Sequence, residues 1–162
     1  MVGCNVIRVN VGKQLHKNPT PTVDTIIQKD SKILLVKRKK DPFKQKMVLP
    51  GGFVNEGEKV EDAAIREVKE ETSLDIEIDN ILGVYSDPSR DPRGHIMSTV
   101  FIGKISDKSD IKEPMAGDDA AAVKWVDLAS IEEESFGFDH KKILNDYKKW
   151  KLSGQTFWSS KT

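Results

Sequence analysis

The sequence predicts one α/β domain built on a mixed β-sheet. Short runs rich in β-branched and apolar residues recur at positions 23–28, 32–38, 76–85, 95–105 and 123–126, each suited to a strand. Two stretches free of Gly and Pro, 60–72 and 139–150, suit helices, the second through Ile143, Leu144, Tyr147 and Trp150 at helical spacing. The length of 162 residues is that of one domain, large enough to bury a core without disulfides or structural metals. Composition agrees, at 37% hydrophobic and 32% charged, with no internal repeat and no low-complexity linker.

The first twenty or so residues are polar and broken by Pro19 and Pro21, so they are expected to be an extension in which only Val6, Ile7, Val9 and Val11 suit a strand. The runs at 23–28 and 32–38 flank the polar Lys29-Asp30-Ser31 and are expected to form a hairpin. Met47-Val48-Leu49 is a short apolar segment that runs into Pro50-Gly51-Gly52, read as a strong break. Helix 60–72 follows, then the strands at 76–85 and 95–105. Between those two lies the long charged loop Ser86-Asp87-Pro88-Ser89-Arg90-Asp91-Pro92-Arg93-Gly94. Phe136 and Phe138 are expected to complete the core beside helix 139–150. Residues 151–162 read as a polar tail whose Trp158 either folds back or meets a neighbouring chain.

Charge and hydropathy exclude several functions. Lys plus Arg and Asp plus Glu are each 26, so the net charge is zero and no basic footprint for nucleic acid is present. The longest strongly apolar run, Ile33 to Val36, is far short of a membrane span, so no membrane association is expected. Asn5 and Arg8 interrupt the amino terminus, where no secretory signal is visible. The single Cys4 makes neither an intrachain disulfide nor a metal cluster. The expected compartment is the cytoplasm.

The chemistry is concentrated in helix 60–72. Glu67, Glu70 and Glu71 are spaced so that their carboxylates share one side of it. Acids on a helix usually form a solvated face, but the phase here argues otherwise. At about 100° per residue, Glu67 and Glu71 fall in the sector of Val60, Ala63, Ala64 and Val68, the core-facing set, while Asp62, Arg66 and Lys69 take the opposite side. Carboxylates converging where a core stripe ends need a cation, and Arg66 reaches only part of the cluster. With no His or Cys nearby, the cluster suits a hard cation such as Mg²⁺ or Mn²⁺ rather than zinc. Just upstream, Gly51-Gly52 allows close backbone approach, and a glycine-rich loop leading to a helix suits phosphate groups.

These residues resemble the Nudix box, G-x5-E-x7-R-E-U-x-E-E-x-G-U, where U is aliphatic. Gly52, Glu58 and Arg66-Glu67-Val68-Lys69-Glu70-Glu71-Thr72-Ser73-Leu74 stand at the box's spacings over 23 residues. The one departure is Ser73 in place of the glycine that ends the helix, where a left-handed conformation favours Gly. The resemblance spans about residues 20–150 and implies a Nudix-type α/β/α sandwich around a mixed sheet, with the whole chain 1–162 as one domain.

It also implies a hydrolase that cleaves a nucleoside diphosphate linked to another moiety, with Mg²⁺ as cofactor and Mn²⁺ as a substitute. Glu67, Glu70, Glu71 and the Gly51 carbonyl are the implied metal ligands, Arg66 orients a box glutamate, and Glu58 supports loop–helix packing. The catalytic base is Asp119, in Gly117-Asp118-Asp119-Ala120-Ala121, or Glu70, with Glu113 and Asp118 as further candidates. Arg38 either contacts substrate phosphate together with Gly52 or belongs to the solvated run Lys37-Arg38-Lys39-Lys40. Loop 86–95, with Arg90 and Arg93 on a backbone stiffened by Pro88 and Pro92, looks like that of ADP-ribose pyrophosphatases, its arginines gripping phosphate or ribose oxygens. His95 reads as a strand residue with a satisfied ring. The alternatives are hydrolysis of nucleoside triphosphates or dinucleoside polyphosphates, and a sensing domain that binds nucleotide without cleaving it. Dimers are common among members that cleave ADP-ribose, so a homodimer is an allowed assembly.

Overall fold

The computed structural model describes residues 18–110, 113–117 and 120–161. The strand expected at 6–11, Cys4, and the candidate bases Asp118 and Asp119 lie outside the described residues. In chain order the elements are β1 (Thr20–Lys29), β2 (Lys32–Arg38), β3 (Met47–Val48), β4 (Gly51–Phe53), α1 (Val60–Thr72), β5 (Ile76–Tyr85), β6 (Ile96–Ile105) and β7 (Ala120–Asp127). A 3₁₀ turn (Leu128–Glu133), α2 (His140–Ser153) and β8 (Phe157–Trp158) follow.

Strand β1 runs through the middle and is buried on both faces from Thr22 to Ile27. Such a strand needs apolar residues on each face rather than alternation. Its side chains divide accordingly. Val23 and Ile27 pack with Ala63, Ala64 and Val68 of α1, whereas Ile26 packs with Ile143, Leu144 and Tyr147 of α2. Two helices on opposite faces of a mixed sheet make the expected α/β/α sandwich. The hairpin forms as read, Gln28 opposite Ile33, with Asp30 at φ 55° in its turn. In the centre, β1 and β6 run parallel from Thr20–Ile96 to Ile27–Gly103. The strand order is β3-β2-β1-β6-β5-β8, with β4 added to β1 and β7 to β2.

One expectation changes. Gly51-Gly52 is not simply a break, because Gly51–Phe53 pairs antiparallel with β1 and sets Gly51 opposite Asp24. A Cβ at Gly51 would run into the Val23 carbonyl, so only glycine lets the backbone lie this close. The tail takes the first of the two placements expected for it. It folds back as β8, parallel to β5 with Trp158 opposite Val84, and Phe157 is buried in the main core. The 3₁₀ turn was not foreseen; the Asp127 side chain caps it by accepting the Ala129 N–H at 2.9 Å. Among the described residues, no helix is long and apolar enough to cross a membrane.

Candidate functional site

Helix α1 buries Ala63, Ala64, Val68 and Thr72, the phase expected, and this aims its acids at the β1–β4 junction. It ends at Ser73, which adopts the left-handed conformation (φ 63°, ψ 3°) and donates its N–H to the Lys69 carbonyl. The serine therefore keeps the geometry that glycine would supply.

The three glutamates do not form one cluster as they stand. Glu71 lies deepest, its Oε2 accepting the Gly51 N–H at 3.0 Å, and burial pushes its carboxyl up to about 8. The Glu67 side chain is 15% exposed and its carboxyl is also raised by burial; that of Glu70, 60% exposed, stands at the rim. Among the described residues, no three His, Cys, Asp or Glu side chains are gathered closely enough to hold an ion in this arrangement. The cause is Arg66. Rather than facing solvent with Asp62 and Lys69, it folds back so that Nη1 donates to Glu67 (2.7 Å) and Glu70 (3.3 Å). Its Nε and Nη2 hold Glu58 at 2.8 and 2.9 Å, and Nη2 also reaches the Phe53 carbonyl. Arg66 thus stands in as the cation between two acids. Its fork holds Glu58 down at about 2, and Glu58 also accepts the Asn55 N–H that shapes the loop.

The glycine loop lies directly on the carboxylates. A Cβ at Gly52 would stand 2.5 Å from the Glu67 carboxylate, so any side chain there would displace it. Three carboxylates and a close backbone give an all-oxygen donor set, the chemistry of a hard divalent cation. Gly117 donates its N–H to the Glu71 carbonyl and Met115 to that of Thr72, which brings the segment before Asp118 to the last turn of α1. Glu113 is instead engaged by Lys29 at 2.6 Å.

A cleft of about 220 Å³ separates this wall from a second one containing Arg38, Arg93, Phe53 and Phe138. Arg38 does not join a solvated run. It lines the cleft, donates from Nε to the Pro42 carbonyl, and is held below its ordinary pKa by burial and by the nearby Arg93. Arg93 is bound through Nε and Nη2 to the buried Asp91. Arg90 departs from the expected open phosphate fork: its side chain is 3% exposed, and Nε and Nη2 are taken by Asp139 at 3.0 and 2.7 Å. It fastens loop 86–95 to α2. The loop is pinned at its start too, where Ser159 Oγ accepts the N–H groups of Ser86 and Asp87, and His95 Nε2 closes it onto the Ser86 carbonyl. A second hollow of about 480 Å³ adjoins the cleft, sharing Arg90 and Phe138 with it.

Two residues here were not found by sequence reasoning. His140 Nδ1 accepts the Leu49 N–H at 2.8 Å, so the proton sits on Nε2, 3.4 Å from Asp24 Oδ1. Asp24 also accepts from Ser98 Oγ and lies 3.6 Å from Arg90. Burial lowers the His140 pKa and keeps the ring neutral. An acid within the apolar run Val23-Asp24-Thr25-Ile26 was the available signal.

Residues 18–147 match the NUDIX domain. The chain is 50% identical over 138 residues to the ADP-ribose pyrophosphatase of Methanocaldococcus jannaschii, covering 85% of this chain and 78% of that one. The solved NUDIX domain of Shewanella oneidensis NrtR, complexed with ADP ribose, superposes with a TM-score of 0.74 at 27% identity, over 89% of this chain and 95% of that one. A bifunctional NMN adenylyltransferase/ADP ribose pyrophosphatase from Francisella tularensis, complexed with AMP and a Mn ion, gives 0.69 at 29% identity, over 82% of this chain and 42% of that one.

Proposed function

Since the chain belongs to the Nudix family of hydrolases, we propose that it hydrolyses ADP-ribose to AMP and ribose 5-phosphate. The observation that carries this reading is the pairing of two unlike walls across one cleft. One is acidic and faces a close-lying glycine backbone; the other presents the guanidinium groups of Arg38 and Arg93. A diphosphate needs both, cations at its oxygens and a carboxylate site for the metal that its charge recruits. The adjoining hollow beyond Arg90 gives room on the far side for a second sugar, as a molecule with a ribose at each end requires. The identity to a named ADP-ribose pyrophosphatase supports the same substrate.

Glu67, Glu70, Glu71 and the Gly51 carbonyl would hold the divalent cation, taken here as Mg²⁺ with Mn²⁺ as a substitute. When bound, such a cation neutralises diphosphate charge and acidifies water for attack. The protein's own groups do the rest. Arg66 would give up Glu67 and Glu70 to that site and keep Glu58, which it holds through both Nε and Nη2, and so the loop geometry. Arg38 and Arg93 orient the diphosphate from the facing wall, and the Gly51-Gly52 backbone leaves it space to approach. Asp119 or Glu70 accepts the proton of the attacking water. Val84 and Trp158, exposed side by side on the β5–β8 edge, support a homodimer.

Chromatographic product analysis with Mg²⁺ tests the reading. ADP-ribose should give AMP and ribose 5-phosphate, with kcat/KM at least about tenfold above that for ATP or dATP. Release of pyrophosphate from triphosphates, with ADP-ribose untouched, would overturn the substrate and leave the family standing. Nucleotide binding without turnover would identify a sensor.

A further inference from the structure

Guanidinium groups and aromatic rings alternate along the second wall. The guanidinium carbon of Arg38 lies 5.1 Å from the centre of the Phe138 ring, and that of Arg93 lies 5.5 Å from the same ring. Arg93 is in turn 5.1 Å from the Phe53 ring. The sequence of contacts is thus Arg38, Phe138, Arg93, Phe53, each within the range of a cation–π attraction.

Its inner members are held in place. Asp91 is buried and grips Arg93 through Nε and Nη2, fixing the plane of the guanidinium. Phe138 adopts φ 54°, a left-handed conformation that is costly for a bulky residue, and is buttressed by the edge of Phe43 at 4.8 Å. The outer member differs. Phe53 is 43% exposed, belongs to no core cluster, and directly follows the glycine pair that lies on the carboxylates. A single exposed phenylalanine is ordinary. One that ends a fixed ladder at the lip of a phosphate-sized cleft, with Arg93 against its ring, is placed to stack.

We propose that Phe53 is the platform on which the purine base of a nucleoside diphosphate stacks. This rests on the diphosphate reading above and extends it by saying which end of the substrate lies where. The ring carries no polar atom and so suits a flat heteroaromatic base; a ribose, whose hydroxyls need hydrogen-bonding partners, gains little from it. Stacking of this kind recognises the base by its face, which every base presents and a purine presents over the larger area.

The test compares Phe53→Leu and Phe53→Tyr with the unaltered enzyme, using AMP and ribose 5-phosphate as binding probes in calorimetry and ADP-ribose in turnover. Phe53→Leu should weaken AMP binding about 10-fold, the worth of one base–aromatic stack, while ribose 5-phosphate binding is unchanged. KM for ADP-ribose should rise by a similar factor at unchanged kcat. Phe53→Tyr should stay within about twofold throughout, because the ring is kept. Unchanged AMP affinity in Phe53→Leu would overturn the platform, as would equal weakening of AMP and ribose 5-phosphate, or a wild-type enzyme that fails to bind AMP. Should ADP-ribose prove not to be hydrolysed, the substrate reading falls, and the AMP measurement still decides the platform by itself.

Discussion

The two walls of the cleft are charged in opposite ways and assembled by opposite routes. The α1 wall takes its acids and Arg66 from one stretch between Glu58 and Glu71, and its carboxylates outnumber the cation that serves them. The facing wall collects Asp24, Arg90, Asp91, Arg93 and Asp139 from strands, a loop and the start of α2, these charges each with a partner, and sets beside them Arg38, whose Nε donates to the Pro42 carbonyl. One wall carries more carboxylates than its guanidinium can pair. The other has its loop and helix charges paired once folded, with Arg38 lining the cleft beside them. Removing a charge should therefore leave the fold of the first unharmed and weaken that of the second.

The largest effect should come from Arg90→Met. It strands Asp139 and Asp24 without the guanidinium that joins them and should cost roughly 3 kcal/mol in urea unfolding, as when one member of a buried pair is lost. A loss below about 1 kcal/mol would erase the contrast between the walls. Glu71→Gln is its counterpart. Turnover should fall about 100-fold at saturating Mg²⁺ while the melting temperature of the metal-free protein holds or rises, because a raised carboxyl is relieved of its charge. Near-normal turnover would show that the acidic wall does not serve a cation.

The third test concerns pH. His140 titrates below its unfolded value of 6.5, so below that pH the unfolded chain takes up the proton first. Its contribution to stability is then complete above about pH 6.5 and is lost as pH falls through the lower folded value. His140→Gln, which can still accept from Leu49 N–H, should reduce that acid-side loss, and melting curves from pH 5 to 8 would read the difference. Identical pH profiles would mean that His140 is not kept neutral by the fold. The smallest effect belongs to Ser73→Gly. Relieving a serine at φ 63° should stabilise the protein by roughly 0.5–1 kcal/mol with turnover unchanged. A destabilised variant would show that the Ser73 side chain contributes something beyond its backbone position.

How much could be read in advance follows the same division. Helical periodicity converts spacing directly into geometry, so α1, its buried face and the glutamate side were legible from consecutive residues. Arg66 was legible only in part: its Cα phase points to solvent, yet a long side chain need not point where its Cα does, and two neighbouring acids and a carbonyl draw it back. Strand β4 was hidden because Gly51–Phe53 has no strand pattern of its own and exists through its pairing with β1. The ties of Asp24 to His140 and Arg90 depend on the parallel alignment of β1 with β6 and on the seating of α2. Nothing local in the sequence encodes those distances. Arg90 and Arg93 carry the same charge in the same loop, and what separates them is burial: Arg90 is sealed against Asp139 as a fastening, whereas Arg93, held by the buried Asp91, keeps a face to the cleft.

The fastening of loop 86–95 bears on how substrate arrives. Ser159 fixes its first turn, Asp139 its middle and the His95–Ser86 contact its end. A segment secured at three points has surrendered its conformational freedom during folding, so little remains to be surrendered when a ligand enters. Capture then needs no closing step, and the approach of a dianion towards Arg38 and Arg93 is governed by encounter in their field. The association rate should accordingly fall steeply as ionic strength rises, with the viscosity dependence of a diffusive step rather than the delay of a gate.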